Sequence, residues 1–172
     1  MRAGVAIAVV ALAALAGRAQ EPAVYVSAEG RFAAKFPAQP GTVVSTVKAK
    51  AAGQEVTVTT SDNGPLAFAV GFADLPAAAL KDAPAAKVLE KSEQGLTAQT
   101  RAKVLTAKAT TLKAGAKEYP ARELTAEREG VHLRIVVVLA ETRLYQVSVV
   151  GSKDGVATKE ADAFIGSFEI RN

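Results

Sequence analysis

The five residues Ile135-Val136-Val137-Val138-Leu139 are apolar without a break. In a strand, successive side chains point to opposite sides of the sheet. A strand with one wet face therefore alternates apolar with polar, and this run does not. It belongs in the middle of a sheet covered on both faces. The chain must then supply two covering layers as well as the sheet.

The neighbouring residues supply the sheet. Three β-rich segments, about 119–128, 131–140 and 143–150, are joined at Glu129-Gly130 and Glu141-Thr142. If both joints are two-residue hairpin turns, register follows: Glu127 faces His132, Thr125 faces Arg134, Val136 faces Val147, and Val138 faces Tyr145. Neither dipeptide is among the pairs favoured in such turns. In the first half, Ala23–Ser27 and Arg31–Phe36 read as strands around Ala28-Glu29-Gly30. Phe36-Pro37 and Gln39-Pro40-Gly41 break the chain, and Thr42–Ala49 and Glu55–Thr60 resume around Ala51-Ala52-Gly53. Leu66–Phe72 follows the turn at 61–65, so the first half reads as one antiparallel meander.

The covering layers come from two helices. Asp82 is placed to cap the first, with Pro84 in its opening turn, where a missing N–H costs nothing. Ala85, Val88, Leu89 and Ser92 form its narrow apolar stripe, and Gly95 is placed to end it. Residues 97–111, mostly Ala and Thr, are taken as a strand. A second helix is expected over 155–166, capped by Asp154, with Ala157, Ala161, Phe164 and Ile165 on one face. Ser167-Phe168-Glu169-Ile170 closes the chain. The architecture is α+β, a mostly antiparallel sheet with helices packed on it.

The N-terminus has a different character. Met1-Arg2 precedes an apolar run from Ala3 to Ala16, then Gly17-Arg18-Ala19. A basic start, an apolar stretch and small residues at the cleavage positions make a secretory signal. The run is about 14 residues, short of the ~20 that span a bilayer. Residues 1–19 are expected to be a cleavable signal peptide and 20–172 a single domain. The chain has no cysteine, so attachment of a lipid to a cysteine after the cleavage site is excluded. The expected location is the periplasm or the medium.

A domain of this length buries roughly 68–70% of its unfolded surface and needs no disulfide or metal staple. The formal charge of +4 includes Arg2 and Arg18, so the domain without them carries +2. It has neither a run of like charges nor the interleaved aromatics of a nucleic-acid reader, and nucleic acid is excluded as a partner.

Few residues could carry chemistry. His132 is the single histidine, so a zinc site nucleated by two histidines on one helix is impossible. A triad would need His132 with Ser148 or Ser152, yet no Gly-x-Ser-x-Gly elbow presents a nucleophile. Gly151-Ser152-Lys153-Asp154-Gly155 lacks the spacing of a phosphate loop, and Asp62-Asn63-Gly64 is too short for a calcium loop. No catalytic residue, cofactor or metal is expected. The densest charged region is Arg122, Glu123, Glu127, Arg128, His132 and Arg134. Alternating signs on paired strands usually make a solvated surface; if the region acts, it acts as a docking patch.

Ser27-Ala28-Glu29-Gly30-Arg31-Phe32 with Lys35-Phe36-Pro37 resembles the opening of PsbP-like bacterial envelope domains. So do Tyr119-Pro120-Ala121-Arg122-Glu123-Leu124, Arg143-Leu144-Tyr145-Gln146-Val147 and Ala163-Phe164-Ile165-Gly166-Ser167-Phe168. The resemblance implies an α/β/α sandwich and extracytoplasmic residence. In photosynthetic members it implies an accessory role on a membrane complex. It brings no catalytic motif and so no functional residue. The expected function is a non-enzymatic exported domain that binds an envelope protein or membrane complex. The alternative is a carrier holding a small apolar ligand between the sheet and the helix at 83–94.

Overall fold

The computed structural model describes residues 23–37, 44–51, 54–81, 83–114 and 116–171. The leader, the Gln39-Pro40-Gly41 break, the Ala52-Gly53 turn and Asp82 lie outside them.

Seven strands form one antiparallel sheet. β3 (Ser45–Ala51), β4 (Gln54–Asp62) and β5 (Leu66–Asp74) run as a meander from one edge to the centre. The chain then crosses one face as α1 (Ala77–Leu80) and α2 (Ala85–Thr100) to the far edge. From there β6 (Lys103–Ala114), β7 (Lys117–Arg128), β8 (Val131–Ala140) and β9 (Arg143–Gly151) return as a second meander, and β9 pairs with β5. The strand order is β3-β4-β5-β9-β8-β7-β6.

The register is the one the turn arithmetic requires: Glu127 opposite His132, Thr125 opposite Arg134, Val136 opposite Val147, Val138 opposite Tyr145. Both joints are two-residue turns. Glu129 and Gly130 take φ of 52° and 80°, and Glu141 takes 56°. A left-handed glutamate costs roughly 1–2 kcal/mol, which the surrounding ladder offsets. The apolar run of β8 is covered on both sides as expected. Ile135, Val137 and Leu139 face α2, where Val88, Leu89, Leu96, Leu124 and Leu133 complete an aliphatic core. Val138 and Ala140 face a core rich in aromatics.

That second core is closed by a small sheet, β1 (Ala23–Ser27), β2 (Phe32–Phe36) and β10 (Glu169–Ile170), together with α3 (Lys159–Gly166). The first half of the chain is therefore not one meander: β1 and β2 leave the main sheet and lie across it. Alternation identified these strands but not their partner, which Phe32 and Phe36 select by packing against Phe72 and Phe164.

The helices differ from expectation at their ends. α2 starts after Pro84 as its N-cap, and it runs through Gly95 to Thr100. Burying Leu96, 2% exposed, stabilises by roughly 1.5–3 kcal/mol, more than the ~1 kcal/mol that a helical glycine loses. The helix stops instead at Arg101, left-handed with φ 55°. Residues 97–100, read as strand, are its last turn. The second helix is also shorter than expected. Gly155–Ala157 is a 3-10 turn, and α3 is capped by Thr158, whose Oγ1 accepts from the Ala161 N–H at 3.3 Å, not by Asp154.

Two variants separate local from tertiary control of α2. Leu96→Ala is expected to lose about 2–5 kcal/mol in denaturant unfolding. Arg101→Gly is expected to gain about 1 kcal/mol by relieving the left-handed residue. Equal stabilities for the two proteins would contradict this account of the helix end.

Candidate functional site

The six charged residues singled out above share one hairpin but not one surface. Side chains alternate along β7 and β8, so Arg122 and Arg128 lie on the α2 side while Glu123, Glu127, His132 and Arg134 lie on the α3 side. Arg122 pairs with Glu93 of α2. Arg128 donates from Nη1 to the Thr100 carbonyl at 3.1 Å, where a cation complements the negative end of the helix. On the other side, Glu123 accepts from Lys108 of β6 at 2.8 Å and from Arg134 Nε at 3.3 Å. Arg134 reaches on to Asp162 of α3. The hydrogen bond from Lys108, with Arg134 adding to it, holds the Glu123 carboxyl below its usual range against the opposing effect of burial. Four of the six thus tie helices or strands together.

The outer end of the hairpin differs. Glu127 and His132 stand opposite each other, and beside them Arg128, Glu129 and Val131 are exposed, Val131 by 45%. Val131 is thus an exposed apolar side chain beside the exposed charges of Arg128 and Glu129.

The remaining candidates resolve into structural roles. Ser148 shares a face with Ile135 and Ala69, opposite to His132, so these two cannot form a dyad. Ser152 Oγ accepts from the Gly155 N–H at 3.1 Å and shapes the 3-10 turn. Asp62 Oδ1 accepts from the Gly64 N–H at 2.6 Å, and Asn63 Nδ2 donates to Glu160 of α3 at 3.1 Å. Among the described residues, no group of three or more His, Cys, Asp and Glu is arranged to hold a metal. The space between α2 and the sheet is filled by the aliphatic core. An open depression of about 480 Å³ lies at the start of α2, lined by Ala85, Tyr119, Pro120 and Leu139 with Lys117, Glu118 and Glu141.

The most constrained polar group is Arg143, which sequence reasoning treated only as a landmark. It is 8% exposed. Its Nε and Nη2 donate to the two Asp74 carboxylate oxygens at 2.7 and 2.6 Å, and Nη1 donates to the Glu29 carbonyl at 2.7 Å. The guanidinium carbon sits 4.7 Å from the Phe72 ring centre. Two residues on, the Tyr145 hydroxyl donates to the Gly30 carbonyl at 2.8 Å. A Cβ on Gly30 would fall 2.6 Å from the Phe32 ring and 2.8 Å from that of Phe72. Arg143 and Tyr145 thus clasp the β1–β2 turn onto the end of the main sheet. The Arg143 hydrogen bonds hold the Asp74 carboxyl below its usual range, against partial burial. Burial raises the Tyr145 hydroxyl above its ordinary value, and the Arg143 charge opposes this. A signal for the clasp existed: the register places Arg143 on the core-facing side with Tyr145, where a charge requires a partner.

No family model and no curated protein sequence matches the chain. Among solved structures, cyanobacterial PsbP (CyanoP) from Synechocystis sp. PCC 6803 is similar with a TM-score of 0.61 and 15% identity, over 87% of this chain and 92% of that one. A protein from Bacteroides thetaiotaomicron VPI-5482 gives 0.48 at 16% identity, over 89% of this chain and 50% of that one. A Pseudomonas aeruginosa protein of unknown function gives 0.41 at 15%, over 83% and 91%. At these identities the likeness is one of fold, and the first match makes that fold PsbP-like.

The clasp sets a test. Arg143→Ala is expected to destabilise by about 2–3 kcal/mol, less than a fully buried pair because Asp74 is partly exposed. Arg143→Lys is expected to recover less than half, since an ammonium cannot bridge both carboxylate oxygens and the Glu29 carbonyl. A depressed carboxyl lends its stability above the unfolded value of about 3.9, and loses it as pH falls through the folded value. Urea unfolding between pH 6 and 2 should therefore show a shallower acid loss for Asp74→Asn than for the parent.

Proposed function

We propose that this chain of PsbP-like fold is a non-enzymatic exported domain that docks on an envelope protein or membrane complex through the outer end of its β7–β8 hairpin. The observation that carries the reading is the split of the charged region. Arg122, Glu123 and Arg134 are engaged in holding α2, β6 and α3. At the free end the exposed Val131 stands opposite Arg128 on one face of the hairpin, with Glu127 and His132 paired on the other. An apolar centre with a polar rim is the anatomy of a protein interface, and mixed charges on the rim favour partner choice over chemistry. Opposed placement of Ser148 and His132 supports the non-enzymatic reading.

Export rests on the leader pattern of residues 1–19. No helix among the described residues is long and apolar enough to cross a membrane. Fractionation of a C-terminally tagged chain, with N-terminal sequencing, is expected to give a species starting at Gln20 outside the cytoplasm. Recovery of Met1 in the membrane fraction would overturn release.

Docking is tested by mild crosslinking in native envelopes, comparing the parent with Arg128→Ala/Val131→Ser/His132→Ala and with the control Lys113→Ala/Glu118→Ala. The expected result is one crosslinked product that is lost in the first variant and kept in the control, both folded by circular dichroism. Equal yields from all three proteins, or no reproducible product, would refute the docking site.

A further inference from the structure

At the end of the molecule away from the β7–β8 turn, the two sheets meet in a narrow mouth. Asp74, Arg143 and Ala140 form the last paired row of the main sheet, and Tyr119 of β7 stands on the same aromatic face. Arg31 and Arg171 flank the end of the small sheet, where the Arg171 N–H donates to the Arg31 carbonyl at 2.8 Å. Between them is a cavity of about 20 Å³ whose polar lining is Arg31, Arg143, Arg171, Tyr119, Tyr145 and Glu141. A space of that size admits one water-sized atom.

Three guanidinium groups gather here, and two are answered. Asp74 holds Arg143, Arg171 lies 3.6 Å from Glu169, and Glu141 is 3.7 Å from Lys117. Arg31 has no ion-pair partner among the described residues, although its charge acts on both Asp74 and Tyr145. Like charges on adjacent strands repel. The Arg31 backbone is also left-handed, with φ 51°, a conformation that favours glycine. The turn thus carries an arginine that its backbone disfavours and its neighbours leave unneutralised. Tyr119 adds an independent mark. It is 7% exposed, it lines the cavity, and its hydroxyl has no hydrogen-bond partner among the described residues. The Tyr145 hydroxyl, by contrast, is already donated to the Gly30 carbonyl. An unmet hydroxyl on a buried side chain is costly, and a ligand oxygen in the cavity would meet it.

We propose that this mouth binds a carboxylate, one oxygen entering the cavity to accept from the Tyr119 hydroxyl and the other accepting from the Arg31 guanidinium. The one unanswered cation selects a single negative charge, the cavity admits a single oxygen, and the planar fork of arginine matches a planar carboxylate. Phosphate as a dianion brings a second charge that the mouth does not match. Two sources share the chemistry, a small organic acid and the C-terminal carboxylate of a peptide. β8 has ten residues, which puts the mouth about 30 Å from the β7–β8 turn, so the site does not rest on the docking reading.

The test needs only the purified protein. Acetate, inorganic phosphate, and N-acetylated tri-alanine with a free or an amidated C-terminus are titrated into isotope-labelled protein and followed by NMR at constant ionic strength. Saturable shifts are expected with acetate and the free-acid peptide, none with the amide, and phosphate is expected to bind at least fivefold more weakly than acetate. Tyr119→Phe, which keeps the ring, is expected to weaken acetate binding three- to tenfold, and Arg31→Gly at least tenfold. Lys91→Gln, an exposed position on α2, is expected to leave it unchanged. Glycine suits the left-handed turn, so Arg31→Gly is expected to unfold at no lower urea concentration than the parent, which separates lost binding from lost fold. A free-acid peptide that binds tenfold or more tighter than acetate assigns the site to a chain terminus, and a smaller ratio assigns it to a small acid. Unsaturated linear shifts, equal binding of the amide, phosphate as tight as acetate, unchanged binding in Tyr119→Phe, or an equal loss in Lys91→Gln would overturn the proposal.

Discussion

The structure depends on burial of its central strands from both sides. β8 and β9 have no wet face over most of their length, and each fully buried Val, Leu or Ile stabilises by roughly 1.5–3 kcal/mol. That condition is met only if two independent layers reach the sheet. The crossover through α2 supplies one, and the chain ends supply the other. β1, β2 and β10 come from opposite ends of the sequence, so the aromatic layer closes only when the whole domain has folded.

The two layers are held by different physics. On the α2 side the contact is aliphatic. Arg122–Glu93 and the Arg128 contact with the Thr100 carbonyl fix where the helix sits. On the other side rings meet in tilted and edge-on pairs, with the Phe164 ring centre 5.0 Å from that of Phe36 and 5.1 Å from that of Phe68. There the Arg143 clasp fixes the β1–β2 turn through donors aimed at two carbonyls and a carboxylate. Arg122, Arg128, Arg134 and Arg143 position elements, while at the hairpin end Arg128 and Glu129 also face outward. The sheet edges are guarded in the usual way: β6 is exposed, carries Lys103, Lys108 and Lys113, and is bulged next to Leu105, all of which discourage edge-to-edge pairing.

Legibility followed the range of the forces involved. The β7–β8–β9 register was readable because two-residue turns fix it locally, even with unfavoured Glu129 and Glu141. The ends of α2 and α3 were not, because Leu96 is held by the sheet and Thr158, not Asp154, meets the free N–H groups. The charged cluster was visible as composition. That Arg122 and Glu123 serve opposite faces follows from strand alternation and could have been deduced.

By itself the sequence determined a sheet with a doubly buried centre, two hairpins of known register and an apolar N-terminal run in a cysteine-free chain. Periodicity and turn length carry that information, and both act between neighbours. Only the tertiary structure decided that β1 and β2 leave the meander, that Arg143 finds Asp74 across 69 residues, and that β5 presents rings to one side and small buried residues to the other. Those outcomes depend on which surfaces meet, and alternation along a strand does not encode its partner.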